Sequence, residues 1–212
     1  IYIKIRNLPK VKLKQKNKFE LIKFQIENLF KGISKAHDED LIILSDEDEI
    51  PRPNKIKMFD YKKYKFGIFL QNLYYYKINI QNLTEAKNGW AGSRIALKKN
   101  IKSFFKFRIL KIKNKDEPFW KFYKEKSIQT ISKAGWHFTY LMTPELISMK
   151  IKNSGHIEFN QKNYTSIKNI NYRIKNLIDP FDREANLKKV KIDKTFPKYI
   201  LKNKKKLKKW IL

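Results

Sequence analysis

Four aliphatic residues in a row, Leu41–Leu44, run directly into Ser45-Asp46-Glu47-Asp48-Glu49 and then Pro51 and Pro53. A continuous aliphatic run predicts a strand covered on both faces, as in a parallel sheet. Proline has no ladder donor to offer, so the strand stops there. The acids then stand at the carboxyl end of a buried strand, the place where open α/β sheets bind ligands. The surrounding charge makes the placement more telling. The chain has 49 Lys+Arg against 20 Asp+Glu, a formal net charge of +29. Seven of those acids fall between Asp38 and Glu49, with no basic residue among them.

The rest of the pattern agrees with a mixed α/β chain. Ile1, Ile3 and Ile5 alternate with polar positions and predict a short strand. Residues 10–17 read as a basic linker. Phe19, Ile22, Ile26, Leu29, Phe30 and Ile33 then recur at a helical period. Asn17 with Glu20 is the candidate N-terminal box and Gly32 the stop. Strand, helix and buried strand make a βαβ unit. Beyond Pro53, Phe66–Leu70, Leu73–Ile80 and Trp90–Leu97 read as strands, the first two separated by Gln71-Asn72. Ile128–Ile131 and Trp136–Leu141 are strands around a turn at Lys133-Ala134-Gly135. Thr143 and Pro144 open a helix to about Ile151. A further helix is predicted from about Tyr164, carrying Ile167, Ile170, Ile174 and Leu177.

Composition limits the class of protein. A length of 212 residues predicts one domain with a sizeable core. Without cysteine there is no disulfide framework and no thiolate chemistry. No apolar run approaches the ~18 residues of a membrane span, and no signal peptide is visible. A start at Ile1 in apparent strand predicts a piece of a longer gene product. The charge suits nucleic-acid binding by counterion release. Yet the bases are overwhelmingly Lys, in a chain rich in Ile, Asn, Phe and Tyr, the set an A+T-rich genome encodes. Composition alone leaves a basic nucleic-acid-binding or ribosome-associated protein open as the alternative to an enzyme.

Asp46 and Asp48 are two apart, and they converge on one ion only where the strand breaks, as the prolines favour. Hard oxygen ligands suit Mg²⁺ or Mn²⁺. The plainer alternative is a solvated acidic loop.

Taken in order, "DLIILSDEDEIPRP", "WAGSR", "AGWHFTYL", "HIEFN" and "DPFDR" resemble glycosyltransferase family 17, the β-1,4-mannosyl-glycoprotein 4-β-N-acetylglucosaminyltransferases and their relatives. The resemblance runs from about Ile1 to Asn203. It implies a GT-A-like (Rossmann-like) mixed sheet flanked by helices, with residues 1–203 as the transferase domain and 204–212 as a basic tail. It also implies a UDP-N-acetylglucosamine donor, a glycan acceptor, Mn²⁺ or Mg²⁺ at the D-x-D, and inversion at the sugar carbon. Two departures stand out. The family pattern begins with a further strand–helix–strand, missing here, so one wall of the nucleotide pocket is expected to be open. Where the family has Gln-Arg-Asn, this chain has Gln25-Ile26-Glu27.

Transfer from a nucleoside diphosphate sugar builds negative charge on the leaving diphosphate, which a metal offsets. Asp48 is the expected direct ligand, with Asp46 holding the ribose or a metal-bound water. Glu49 is expected to support the site from behind. His156 is either a metal or diphosphate ligand or a structural histidine. His137, between Trp136 and Phe138, is either a group on the substrate side or a satisfied core histidine. Inversion needs a general base, and Glu158 is the best carboxylate outside the acidic stretch, with a structural role as its alternative. Arg94 and Arg183 are candidates for phosphate or sugar contact, or for ion pairs. Trp90 and Trp136 are candidates for sugar stacking, or for the core. Between Lys188 and Lys209 lie 11 lysines and one acid, Asp193, a stretch suited to non-specific contact with anionic lipid or nucleic acid. For a bacterial or viral protein the expected location is the cytoplasm or the inner membrane face; otherwise the sequence assigns none.

Overall fold

The computed structural model describes residues 4–5, 9, 15–86, 89–111 and 127–212. In chain order the elements are α1 (Gln15–Asn28), β1 (Leu41–Leu44), β2 (Glu49–Pro51), α2 (Pro53–Ile56), β3 (Phe66–Tyr75), β4 (Ile80–Asn82), α3 (Leu83–Ala86), β5 (Trp90–Leu97), α4 (Phe104–Arg108), β6 (Ile128–Ile131), β7 (Gly135–Thr139), α5 (Pro144–Asn153), α6 (Lys162–Thr165), α7 (Ile167–Asn176), β8 (Leu187–Lys189) and α8 (Lys198–Lys202). This is a mixed α/β protein, with parallel and antiparallel strand pairs. Among the described residues, no helix is long and apolar enough to cross a membrane.

The chain forms two compact units, one of 1–47, 51–70 and 91–134, the other of 48–50, 71–90 and 135–212. In the first, β1 pairs antiparallel with β5, and Phe66–Phe69 of β3 pairs parallel with β6. Leu44, Ala96, Ile101, Phe104 and Phe107 form its core, with Ile26, Phe30 and Ile33 packed against them. The helical period from Phe19 to Ile33 is therefore real, but it faces the core only through its later members. Phe19 and Leu29 are 45% and 41% exposed. The helix starts at Gln15, so Asn17 lies inside it, and Gly32 lies in a 3₁₀ turn, Leu29–Ile33. Glu27 has a clear task. It accepts hydrogen bonds from Ser103 Oγ and from the backbone N–H groups of Phe104 and Phe105, closing the start of α4.

Two expectations for this unit need correction. Leu41–Leu44 is a strand, but it is neither parallel nor covered on both faces. Leu41 and Ile43 are 42% and 37% exposed, while Ile42 and Leu44 face the core. The reason is position: β1 ends the described strand order beside β5, so one of its faces stays open. The first strand of the predicted βαβ unit lies largely outside the described residues. Lys4 and Ile5 are not in a strand, and Ile1–Ile3 lie outside the described residues.

In the second unit, Asn72–Tyr75 of β3 pairs parallel with β7, β4 pairs antiparallel with β3 and β8, and β2 pairs with β7. The predicted break at Gln71-Asn72 is absent, because β3 runs unbroken from Phe66 to Tyr75. Gln71 is fully buried, and Gly135 leaves it room. A Cβ on Gly135 would overlap the Ile50 carbonyl oxygen, so only glycine lets β2 and β7 approach this closely. Leu73, Tyr75, Tyr76, Ile80, Ile147, Ile151, Ile170 and Leu187 form one core cluster. Helix α5 opens with Thr143 and Pro144 as predicted, although the Thr143 side chain makes no capping bond. The next predicted helix is split at Ser166, whose Oγ accepts from Asn169 N–H and starts α7 anew.

The stretch 204–212 is docked rather than a free tail. Leu207, Trp210 and Ile211 pack against Tyr74, Ile78, Trp136 and Phe138. The Ile78 N–H donates to Trp210 O at 2.8 Å, and the Leu212 N–H to Asn79 Oδ1 at 2.8 Å. An apolar residue every three or four positions among the lysines suffices to bury one side of it.

Candidate active site

The acids between Asp38 and Glu49 divide among several tasks. Asp38 and Glu39 pair with Lys98 and Lys99 at 3.7 and 2.6 Å. Asp40 accepts from the His37 N–H at 2.8 Å. Asp46 is bound by the Arg108 guanidinium through both Nε and Nη2. Most of the acidic run thus answers local basic charge or ends a turn. Asp48 is different, because it meets two basic side chains at once, one from β7 and one from α5.

The Asp48 carbonyl accepts from the Phe138 N–H at 2.9 Å, which fixes the residue beside β7. From β7, His137 brings Nε2 to 3.3 Å from Asp48 Oδ1. From α5, Lys150 brings Nζ to 3.4 Å from Asp48 Oδ2. Burial alone would push the Asp48 carboxyl up. The hydrogen bond and charge of His137 and the charge of Lys150 reverse this and hold it below the usual carboxylate range. Asp48 is therefore ionised at neutral pH.

His137 is 8% exposed, and its Nδ1 is buried without a hydrogen-bond partner. Its ring packs against Trp90 at 5.2 Å between centroids. The Trp90 Nε1–H donates to Oε1 of buried Glu49 at 3.3 Å. Glu49 thus orients the tryptophan that supports the histidine. The Lys150 ammonium also lies over the Tyr140 ring, 5.5 Å from its centroid. Tyr140 holds a left-handed backbone, φ 55°, and stacks on Tyr75. Burial first, then Tyr75, Asp179 and Asp48, push its phenol up to about 12, against the opposing pull of Arg183.

Arg183 is held by Asp179 through Nε and Nη2, both at 2.9 Å, and reaches the Tyr75 hydroxyl at 3.1 Å. Burial opposes its charge, but the bonds to Asp179 and the fields of Tyr75 and Asp179 secure it. Half of its side chain remains exposed. In the second unit, Asp48, His137 and Lys150 are thus linked through Tyr140 and Tyr75 to the Asp179–Arg183 pair.

Other expected site residues are placed elsewhere. His156 is exposed and pairs through Nδ1 with Glu158 Oε1 at 2.8 Å, at the 3₁₀ turn Ile157–Phe159. The histidine beside Asp48 is His137 instead. Among the described residues, no three His, Cys, Asp or Glu side chains are grouped to hold a metal ion. Glu158 is held below its ordinary value by its own backbone N–H and by His156. Its turn is tied toward Tyr140 through Phe159, which stacks on Phe181 at 4.0 Å, and Phe181 meets Tyr140 edge-on at 6.1 Å. Arg94 is buried and donates to the carbonyls of Ala91 and Gly92. Trp136 is 4% exposed within the cluster of Tyr74 and Phe138, which leaves its indole no open face for a sugar.

Sequence reasoning missed Lys150 and Tyr140. Nothing local distinguishes Lys150 in so basic a chain. Tyr140 had a signal, since it directly follows the strand that carries His137. Compared with family models, curated proteins and solved structures, the chain matches none.

Proposed function

We propose that this chain is a metal-dependent, inverting glycosyltransferase of GT-A type. Its donor is a nucleoside diphosphate sugar, UDP-N-acetylglucosamine in the first place, and its acceptor a glycan. The observation that carries the reading is the surroundings of Asp48: an ionised carboxylate with an imidazole nitrogen at 3.3 Å and an ammonium at 3.4 Å. The order of motifs along the chain supports it independently.

The donor set fits Mn²⁺ or Mg²⁺. A carboxylate oxygen with waters and substrate phosphates completing the shell is what such ions take, and the imidazole nitrogen would be an added, softer ligand. Asp48 and His137 would hold the ion, whose chemistry is to offset charge on the leaving diphosphate. Lys150, set against Asp48, carries a positive charge that serves a diphosphate better than it serves the carboxylate alone. Arg183 is fixed in orientation by Asp179 while half of it stays open, as a substrate-contacting cation must be. Glu158, ionised and oriented by His156, is the general base for the acceptor hydroxyl.

The test is release of UDP from UDP-N-acetylglucosamine with a glycan acceptor and Mn²⁺, comparing the chain with Asp48→Asn. Loss of acceptor-dependent release in the variant supports the reading. Equal release by both, or release unaffected by EDTA, contradicts it.

A further inference from the structure

The first unit contains a cleft of about 350 Å³ that the proposed transfer chemistry leaves unused. Lys65, Lys99, Lys102 and Lys106 line it, above an apolar floor that includes Phe66 and Leu110. Among the described residues, no carboxylate lines it. Lys99 is paired with Glu39 at 2.6 Å. Lys65, Lys102 and Lys106 have no acidic partner among the described residues. Glu27, which reaches Ser103 on the wall, is already committed to the start of α4.

The lysines stand on anchored backbone. The Lys65 N–H donates to Ser127 Oγ at 2.9 Å, and Asn100 Nδ2 donates to Lys65 O at 3.4 Å, tying two walls together. The Lys98 and Lys99 N–H groups donate to Asp40 O and Asp38 O at 2.9 and 3.1 Å. Lys106 lies on α4, which Ser103 and Glu27 cap. Ammonium groups that line one cleft repel one another, and an anion among them removes that cost. Lysine suits phosphate as a point charge, without the planar fork of arginine.

We propose that this cleft binds a phosphate-bearing small molecule. Its phosphoryl oxygens lie among Lys65, Lys102 and Lys106, and its apolar or aromatic portion rests on Phe66 and Leu110. The volume lies at the small end of ligand pockets, roughly 300–1,000 Å³, and matches a compact phosphorylated molecule. A nucleic-acid strand would need a groove that tracks its backbone beyond one bounded cavity.

The experiment is titration with inorganic phosphate and with phenyl phosphate, followed by NMR shifts of the backbone amides. EDTA is present throughout, so that no metal contributes at Asp48. Saturable shifts are expected at Lys65, Phe66 and Lys99 to Lys106, with phenyl phosphate binding more tightly than phosphate. Lys102→Ala with Lys106→Ala is expected to weaken binding roughly tenfold or more. Lys188→Ala with Lys189→Ala, both exposed on β8 in the other unit, leaves it unchanged. Shifts spread over lysines throughout the chain, or equal losses in the two double variants, would overturn the proposal. Equal affinity for the two phosphates would overturn the part given to the apolar floor. Failure of transferase activity bears on Asp48 and leaves this result untouched.

Discussion

Asp48 Oδ1 and His137 Nε2 lie 3.3 Å apart, although 89 positions separate the residues in the chain. The pair joins the turn before β2 to β7, and Lys150 closes its other side. If these two atoms share one ion, His137→Ala weakens metal-dependent UDP binding at least as much as the loss of one charge-assisted bond, roughly tenfold. His156→Ala leaves UDP binding in place. Calorimetry on both variants, with folding checked by circular dichroism, distinguishes the two histidines. Equal losses from both would return His156 to the metal site.

Glu158 is expected to matter in a different kinetic parameter. Glu158→Gln keeps the size of the side chain but cannot accept a proton. Turnover falls by about 10²–10⁴ if it is the general base, while UDP affinity is unchanged. His156→Ala lowers turnover in the same direction through lost orientation. Near-native turnover of Glu158→Gln would assign the base elsewhere.

Tyr140 gives the site a titration signature. Its phenol is pushed up to about 12 from an ordinary value of 10.0, and that of Tyr76 is also raised, chiefly by burial. A raised value favours the folded state below the unfolded value and loses that contribution as pH climbs through the folded one. Stability should therefore fall between about pH 10 and pH 12. Phenolate absorbance should show a late-titrating class of tyrosines, reduced in Tyr140→Phe. A single transition near 10 for every tyrosine would contradict the burial of this ring.

Gly135→Ala tests the close approach of β2 and β7. The added methyl meets the Ile50 carbonyl oxygen, and overpacking of this kind typically costs roughly 1–3 kcal/mol. Denaturant unfolding of the variant measures the loss. Because Asp48 adjoins β2, UDP binding should weaken as well. A neutral substitution would show that the strands can separate without cost.

The sequence made some elements plain and hid others for definite reasons. Strand β5 appears with its predicted bounds, and α5 starts where Thr143 and Pro144 indicate. Those signals are local, and in α5 the signal is a proline that fits only the first helical turn. Leu41–Leu44 was legible as a strand but not as an outer one, because neighbour order depends on pairing with β5, about 50 residues away. Gln71-Asn72 looked like a turn, yet a buried amide can sit in a central strand when a glycine across the ladder makes room. At the site, Asp48 and His137 were both visible as residues of interest. Their pairing was not, since it follows from which strand lies beside β2. The lysine that completes the trio is one of 49 Lys and Arg, and its sequence surroundings carry no mark of it.

The most direct test of the central claim is calorimetric titration of UDP into this chain, once with Mn²⁺ and once with EDTA. Asp48, ionised beside His137 and Lys150, is proposed to bind the diphosphate through a divalent ion. The predicted result is saturable UDP binding in Mn²⁺ that EDTA removes and Asp48→Asn abolishes. Equal UDP affinity in Mn²⁺ and in EDTA, unchanged by Asp48→Asn, would contradict the account.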